Sequence, residues 1–288
     1  MIEAILSLFL LQTPSAYNYD KVLKSLDEIA ALNPASVQVF TMGTNSQGQA
    51  IKGLKIGSGS INSLVVGTHH GNEYGSTAVA LGFAQELAKN PISKLTVYVV
   101  PVLNISGYNR NDRYEKNVTG SVTDPNRDYP NPCRSGAPYQ LKSTEALSQF
   151  LVDKNIQISA TLHTYWPAVV YPLGIPATNV STPYDDQYKI LVSAATEESK
   201  YQTGNSSDIL YPVEGAFEDF AYIKHGIWSL LFELGFTHQP DPQAVKNMIE
   251  SNTPGIRRFL ETAPAHRVTQ HDFNGQCDQR LQRRIILE

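Results

Sequence analysis

Only two cysteines, Cys133 and Cys277, occur in 288 residues. That excludes a disulfide framework of the kind that staples small secreted domains, and leaves a single bond available in an oxidising compartment. Neither cysteine has a second Cys or a His at ligand spacing, which argues against a thiolate metal site. Runs of Lys or Arg are absent, and the net charge is −4 with a pI near 6.0. Binding to nucleic acid or to an acidic lipid surface therefore has no general electrostatic basis. The apolar run from Ile5 to Leu11 is too short to span a bilayer, which argues against stable membrane insertion. No internal repeat is present.

What remains is a chain with 41% hydrophobic residues, enough for a sizeable core and typical of a single α/β domain at this length. Residues 1–16 combine that short apolar run with Thr13-Pro14-Ser15-Ala16, resembling a secretory signal and its cleavage site, but Glu3 and the lack of Lys or Arg before the run suit a buried N-terminal segment equally well. The expected localisation is secreted or periplasmic, otherwise cytoplasmic. Residues 17–263 are expected to be the folded domain, and 264–288 a solvated tail carrying Arg280, Arg283 and Arg284.

Periodicity predicts an amphipathic helix over Tyr19 to Leu32, strands over Val37 to Thr41 and Ala50 to Ile56, and a strand from Ser63 to Gly67 followed by a helix over Thr77 to Ala88. The valine-rich stretch from Leu95 to Leu103 reads as a central strand covered on both faces. Periodicity then stops from Asn109 to Tyr139, a loop long enough to be functional. A helix resumes with Ser143 as its expected N-cap. Strands over Ile156 to Leu162 and Ile227 to Phe232 come next, separated by a polar loop and a helix near Gln187 to Lys200. The last helix starts near Pro242 and is expected to break near Pro254. The fold class is α/β: a mixed, mainly parallel twisted sheet with helices on both faces.

His70-Gly71-Asn72-Glu73 places an imidazole and a carboxylate three residues apart, so both can face one ion where the chain turns into a helix. Alone this spacing is weak. It gains weight because His163 and Glu233 also follow apolar strands directly, and ligand crevices in open α/β sheets lie beyond the carboxyl ends of the strands. His70, Glu73 and His163 form a two-His, one-carboxylate set suited to one zinc ion with an open position for water. Glu233 is the candidate base. His69 lies one residue too far from Glu73 and is expected beside the site or facing solvent.

These motifs resemble those of the carboxypeptidase A-type zinc metallocarboxypeptidases, from about Tyr17 to about Ala263, with the compactness of bacterial relatives. The resemblance implies a peptide substrate with a free C-terminal carboxylate, gripped by Asn126 and Arg127 and closed over by Tyr211. It puts Glu218 where the family selects the C-terminal side chain, favouring a cationic one, and asks for an oxyanion arginine, for which Arg113 is preferred over Arg110. Two alternatives stay open: an amidohydrolase similar to the aspartoacylase and succinylglutamate desuccinylase group, and a non-catalytic peptide-binding module. Oligomeric state is not encoded in any motif.

Overall fold

A computed structural model describes residues 18–134 and 136–278. The leader-like segment 1–16 and Arg280, Arg283 and Arg284 lie outside them. Helix α1 (Tyr19–Leu32) is capped by the Asn18 side chain, which accepts from the Asp20 amide. It is followed by β1 (Val37–Thr44), β2 (Ala50–Ile56), β3 (Ile61–Gly67), α2 (Tyr74–Lys89), β4 (Leu95–Val100) and α3 (Ile105–Arg110). The stretch expected to be a bare loop holds a small hairpin, β5 (Glu115–Lys116) with β6 (Val122–Thr123), and a 3-10 turn at Pro125–Arg127. Then come α4 (Lys142–Asp153), β7 (Ile158–His163), β8 (Ala168–Tyr171), β9 (Ala177–Thr178), α5 (Asp185–Ala195) and β10 (Gln202–Asn205). The chain continues with α6 (Ser206–Ile209), α7 (Phe217–His225), β11 (Trp228–Glu233), α8 (Pro242–Thr262) and β12 (Gln276–Cys277).

Eight strands form one sheet in the order β1-β2-β4-β3-β7-β11-β8-β10. Its centre, β4-β3-β7-β11, is parallel, while β1, β2 and β8 enter antiparallel. The expected mixed α/β sheet is the observed one. Side chains alternate across it. Val65, Ala160, Leu162 and Phe232 pack with Phe83 of α2 and Phe259 of α8 on one face. Leu64 and Val66 pack with Leu147 of α4 and Phe217 of α7 on the other. By the same alternation His163 and Glu233 point to the α7 face, at the edge where the parallel strands end.

Three expectations are corrected. Ser143 is not the N-cap of α4: Leu141 holds that position, and the Ser143 hydroxyl donates instead to the buried carboxylate of Glu115 at 2.6 Å. Helix α8 runs through Pro254 without a break. Near the proline, Asn252 Nδ2 donates to the Met248 carbonyl at 2.9 Å and Thr253 Oγ1 to that of Ile249 at 2.8 Å, so side chains supplement the helical ladder. Residues 264–278, expected to belong to a solvated tail, are docked. Trp228 Nε1 donates to His266 O, Arg267 Nε donates to Ile156 O, and β12 pairs with β9 beside a Cys133–Cys277 disulfide. Among the described residues no helix is long and apolar enough to cross a membrane.

Candidate functional site

The turn between β3 and α2 carries the first two functional side chains. Gly71 is required there because a Cβ would lie 2.2 Å from the carbonyl carbon of Gly107 and 2.3 Å from the Tyr108 nitrogen. The same glycine donates its amide to the Arg113 carbonyl at 3.3 Å, tying the turn to the segment after α3. His70 and Glu73 are buried at 4% and 2% exposure, and β7 delivers His163 at 0%. Glu73 Oε1 lies 2.6 Å from His70 Nδ1, its Oε2 lies 3.0 Å from His163 Nδ1, and the two Nδ1 atoms are 3.2 Å apart.

This donor set fits a metal ion. His70 Nε2 donates to Asp124 Oδ1 at 3.1 Å, which fixes the ring and leaves Nδ1 as a lone-pair donor. One ligand atom from each of the three residues lies within 4.8 Å of the others. Two imidazole nitrogens and a carboxylate converging in a buried space are the ligand class of zinc sites with an open position. Burial opposes the charge of Glu73, yet His70 and His163 hold it well below the usual carboxylate range. Burial likewise works against a charged His70, but Glu73 and Asp124 raise it; His163 is lowered by burial. The negative field that raises His70 would also hold a cation.

Asp124 was quoted in the sequence only as a neighbour of Asn126 and Arg127, and it is more than that. Besides fixing His70 it accepts from Arg113, at 3.0 Å from Nε and 2.9 Å from Nη2, and its Oδ1 caps the 3-10 turn through the Asn126 amide. An acid two residues before Asn-Arg, at the start of a turn, is the signal that could have found it. His69 does not face solvent: it is fully buried, with Nε2 2.9 Å from the Tyr129 hydroxyl and its ring stacked 5.4 Å from that of His163.

One cavity of about 440 Å3 gathers the remaining sequence-derived residues. Arg113, Asn126, Arg127, Tyr211, Glu218 and Glu233 all line it together with His70 and Glu73. His163 stands behind them, against Glu73. Arg110 is turned away, toward Asp112 and the Tyr114 carbonyl. Asn126 Oδ1 accepts from the Phe217 amide at 2.9 Å, and Arg127 Nη2 reaches the Tyr211 hydroxyl at 3.4 Å. Gly215, at φ +75°, lets its segment approach the Arg127 carbonyl so closely that a Cβ would stand 2.6 Å from that oxygen. Glu218 is 2% exposed at the start of α7, near apolar walls from Ile209, Leu210 and Leu231. Burial pushes it up to about 7, and pushes its neighbour Asp219 well above the carboxylate range. Burial, then the charge of Glu73, also raises Glu233.

Residues 22–255 match a family model described as zinc carboxypeptidase. Human carboxypeptidase B is 29% identical over 72% of this chain and 60% of its own length. Carboxypeptidase B of Astacus astacus is 24% identical over 74% of this chain and 84% of its own. The chain spans about 60% of the length of the mammalian relatives it matches first. Among solved structures, carboxypeptidase A of Helicoverpa armigera superposes with a TM-score of 0.77 at 17% identity, over 87% of this chain and 74% of that one.

Proposed function

The chain belongs to the zinc carboxypeptidase family, and on that premise we propose that it hydrolyses the last peptide bond of peptides with a free C-terminal carboxylate. The observation that carries this reading is the convergence of His70, Glu73, Arg113, Arg127, Tyr211 and Glu233 on one cavity, with His163 completing the metal-ligand set. His70, Glu73 and His163 would hold a zinc ion, which when bound would supply Lewis acidity and make water a stronger acid. Glu233 accepts a proton from the water that attacks the scissile carbonyl and passes it to the leaving amine. Arg113, held in place by Asp124, faces the oxygen that gains charge. Arg127 offers a planar fork to the terminal carboxylate, Asn126 shares that contact, and the half-exposed Tyr211 closes beside it.

Selection of a cationic C-terminal side chain is supported by Glu218, whose Oε2 has no hydrogen-bond partner among the described residues and which shares its cavity with the apolar side chains of Ile209, Leu210 and Leu231. A buried acid left in that state is a ready partner for an ammonium or guanidinium group. A secreted or periplasmic setting is supported by the disulfide, since such bonds persist in oxidising compartments.

The deciding experiment compares hydrolysis of matched peptides with free and amidated C-termini, and of N-acyl amino acids, by the zinc-loaded protein before and after chelation. Release of the C-terminal residue from the free peptides alone, lost on chelation, is expected. Cleavage confined to N-acyl amino acids would replace this reading with an amidohydrolase.

A further inference from the structure

Two walls of the cavity come from segments outside the eight-stranded sheet. Asn126 and Arg127 stand on the segment that follows the β5–β6 hairpin, and Gly174 stands on the segment between β8 and β9. Gly174 donates its amide to both carboxylate oxygens of Asp219, at 2.9 and 3.0 Å, beside Glu218 at the start of α7. Its carbonyl accepts from the Val213 amide at 2.6 Å. The placement of Gly174 therefore sets one side of the pocket around Glu218.

Both segments are fastened to the same short strand, β12. Cys277 pairs with Ala177 of β9, next to Gln276 with Thr178, and its sulfur is bonded to that of Cys133. The Asp278 amide donates to the Pro176 carbonyl at 2.9 Å, and Gly275 passes Thr178 so closely that a Cβ would stand 2.5 Å from its carbonyl oxygen. On the other side, Cys133 is buried and donates its amide to Asn131 Oδ1 at 2.8 Å. The next residue, Arg134, turns back and donates through Nη1 to the Arg127 carbonyl, the oxygen against which Gly215 packs. From Cys277 the route to Arg127 is thus one covalent bond and a hydrogen-bonded turn, and the route to Gly174 is a two-pair ladder and the chain from Ala177.

We propose that Cys277 is a positioning residue for the carboxylate grip: bonded to Cys133 and paired with Ala177, it holds Arg127 in place relative to the Glu218 pocket, so that the terminal carboxylate and side chain of one residue are met together only in the disulfide-bonded protein. The inference rests on the carboxypeptidase reading for its substrate. His70, Glu73, His163 and Glu233 stand at the ends of β3, β7 and β11, which the parallel centre of the sheet holds without β12. Opening the bond therefore loosens the grip and spares the metal ligands and the base. Cys277 is exposed, so a dithiol reaches the bond from its side. One thiolate of the dithiol attacks the Cys277 sulfur and releases Cys133 as a thiolate. The second thiolate then closes the dithiol into a disulfide and releases Cys277. Each cysteine takes up a proton, and the dithiol has given up two electrons. The grip is in this way tied to an oxidising setting, where such bonds persist.

The test measures the affinity of one peptide in two forms, with a free and with an amidated C-terminus, by calorimetry on Glu233→Gln protein loaded with zinc. The ratio of the two dissociation constants reads the carboxylate grip alone. Reduction by dithiothreitol, followed by its anaerobic removal, is expected to lower that ratio about tenfold, the scale of one charge-assisted hydrogen bond. Reoxidation should restore the ratio, and Cys133→Ser/Cys277→Ser should reproduce the reduced value with zinc content unchanged. In protein retaining Glu233, KM for the free peptide should rise about tenfold on reduction with kcat held within about twofold, as expected when binding common to ground and transition states is lost. Arg267→Ala frees residues 264–278 from the Ile156 and Leu151 carbonyls but keeps the disulfide, and should leave the ratio unaltered. An unchanged ratio in the folded reduced protein, an equal change in Arg267→Ala, or unfolding on reduction would each overturn the proposal and leave the bond a purely structural one. If the oxidised, zinc-loaded protein hydrolyses no free peptide but the affinity ratio still follows the disulfide, the peptidase reading fails and the positioning role stands.

Discussion

Glu218 and Glu233 both stand in one cavity with their ionisation opposed by burial, and the proposed function gives them different parts of the peptide to act on. Glu218 faces Asp219 on its own helix, Glu233 from β11, Arg127 from the 3-10 turn and His70 from the turn after β3; with burial dominant, its carboxyl is pushed up to about 7. The acid is neutral below that value and ionised above it. A C-terminal Arg stays charged throughout, so the ratio of kcat/KM for C-terminal Arg over C-terminal Leu should rise as pH climbs through 7, and Glu218→Gln should flatten that rise. A ratio independent of pH in the unmodified protein would remove Glu218 from the selection. For Glu233, replacement by Gln should cost on the order of 10²–10⁴ in turnover with zinc content unchanged, and near-normal turnover would reject its role as base. His70, Glu73, His163 and Glu233 are legible in the sequence because each directly follows an apolar strand. Asp124 and Tyr129 are not, because their partners His70 and His69 lie 54 and 60 residues away and only the fold makes them neighbours.

Elements with a strong period were legible for the same physical reason that they form: α1, β2 and the central strands bury a face that the residue pattern declares. Where a local signal competed with tertiary partners, the partners won. Ser143 has the chemistry of an N-cap but serves Glu115, while Asp128, from the segment after Arg127, accepts from the amides of Gln140 and Leu141 and the hydroxyl of Thr144 at the start of α4. The docked segment 264–278 is the least legible element, since it is attached through scattered hydrogen bonds, the isolated apolar residues Val268 and Phe273 and one disulfide rather than through an apolar stripe. That disulfide joins residues 144 apart, linking the segment after Asn126-Arg127 to β12. A loop of that length is worth about 5 kcal/mol in the chain-entropy model, and losses of native disulfides fall in the range of about 2–5 kcal/mol. The Cys133→Ser/Cys277→Ser double variant should therefore unfold at a clearly lower urea midpoint. An unchanged midpoint would mean that the non-covalent contacts of residues 264–278, among them those of His266 and Arg267 and the β12–β9 pairing, hold the segment without the disulfide.

At the scale of the molecule, the cavity is assembled from residues between His70 and His238, contributed by segments that meet only once the parallel centre of the sheet has formed. The same assembly brings Glu73, Asp124, Glu218 and Glu233 close enough to influence one another or a shared histidine, with Arg113 and Arg127 as the opposing charges. Such a concentration of acids opposes folding unless a cation shares the space, and the convergent donors of His70, Glu73 and His163 are where it fits. Because those three ligands come from two separate strand ends, the unfolded chain offers no equivalent site, and zinc binding adds directly to folding stability. Free zinc at 1,000 times its dissociation constant contributes about 4 kcal/mol by mass action. The unfolding midpoint should accordingly fall when zinc is chelated and return when it is restored, with the size of the shift set by the free zinc concentration. His163→Ala should unfold at a midpoint that no longer responds to zinc. A midpoint in the unmodified protein indifferent to chelation would show that these residues are held together by their own hydrogen bonds, and would remove the metal from both the stability and the proposed chemistry.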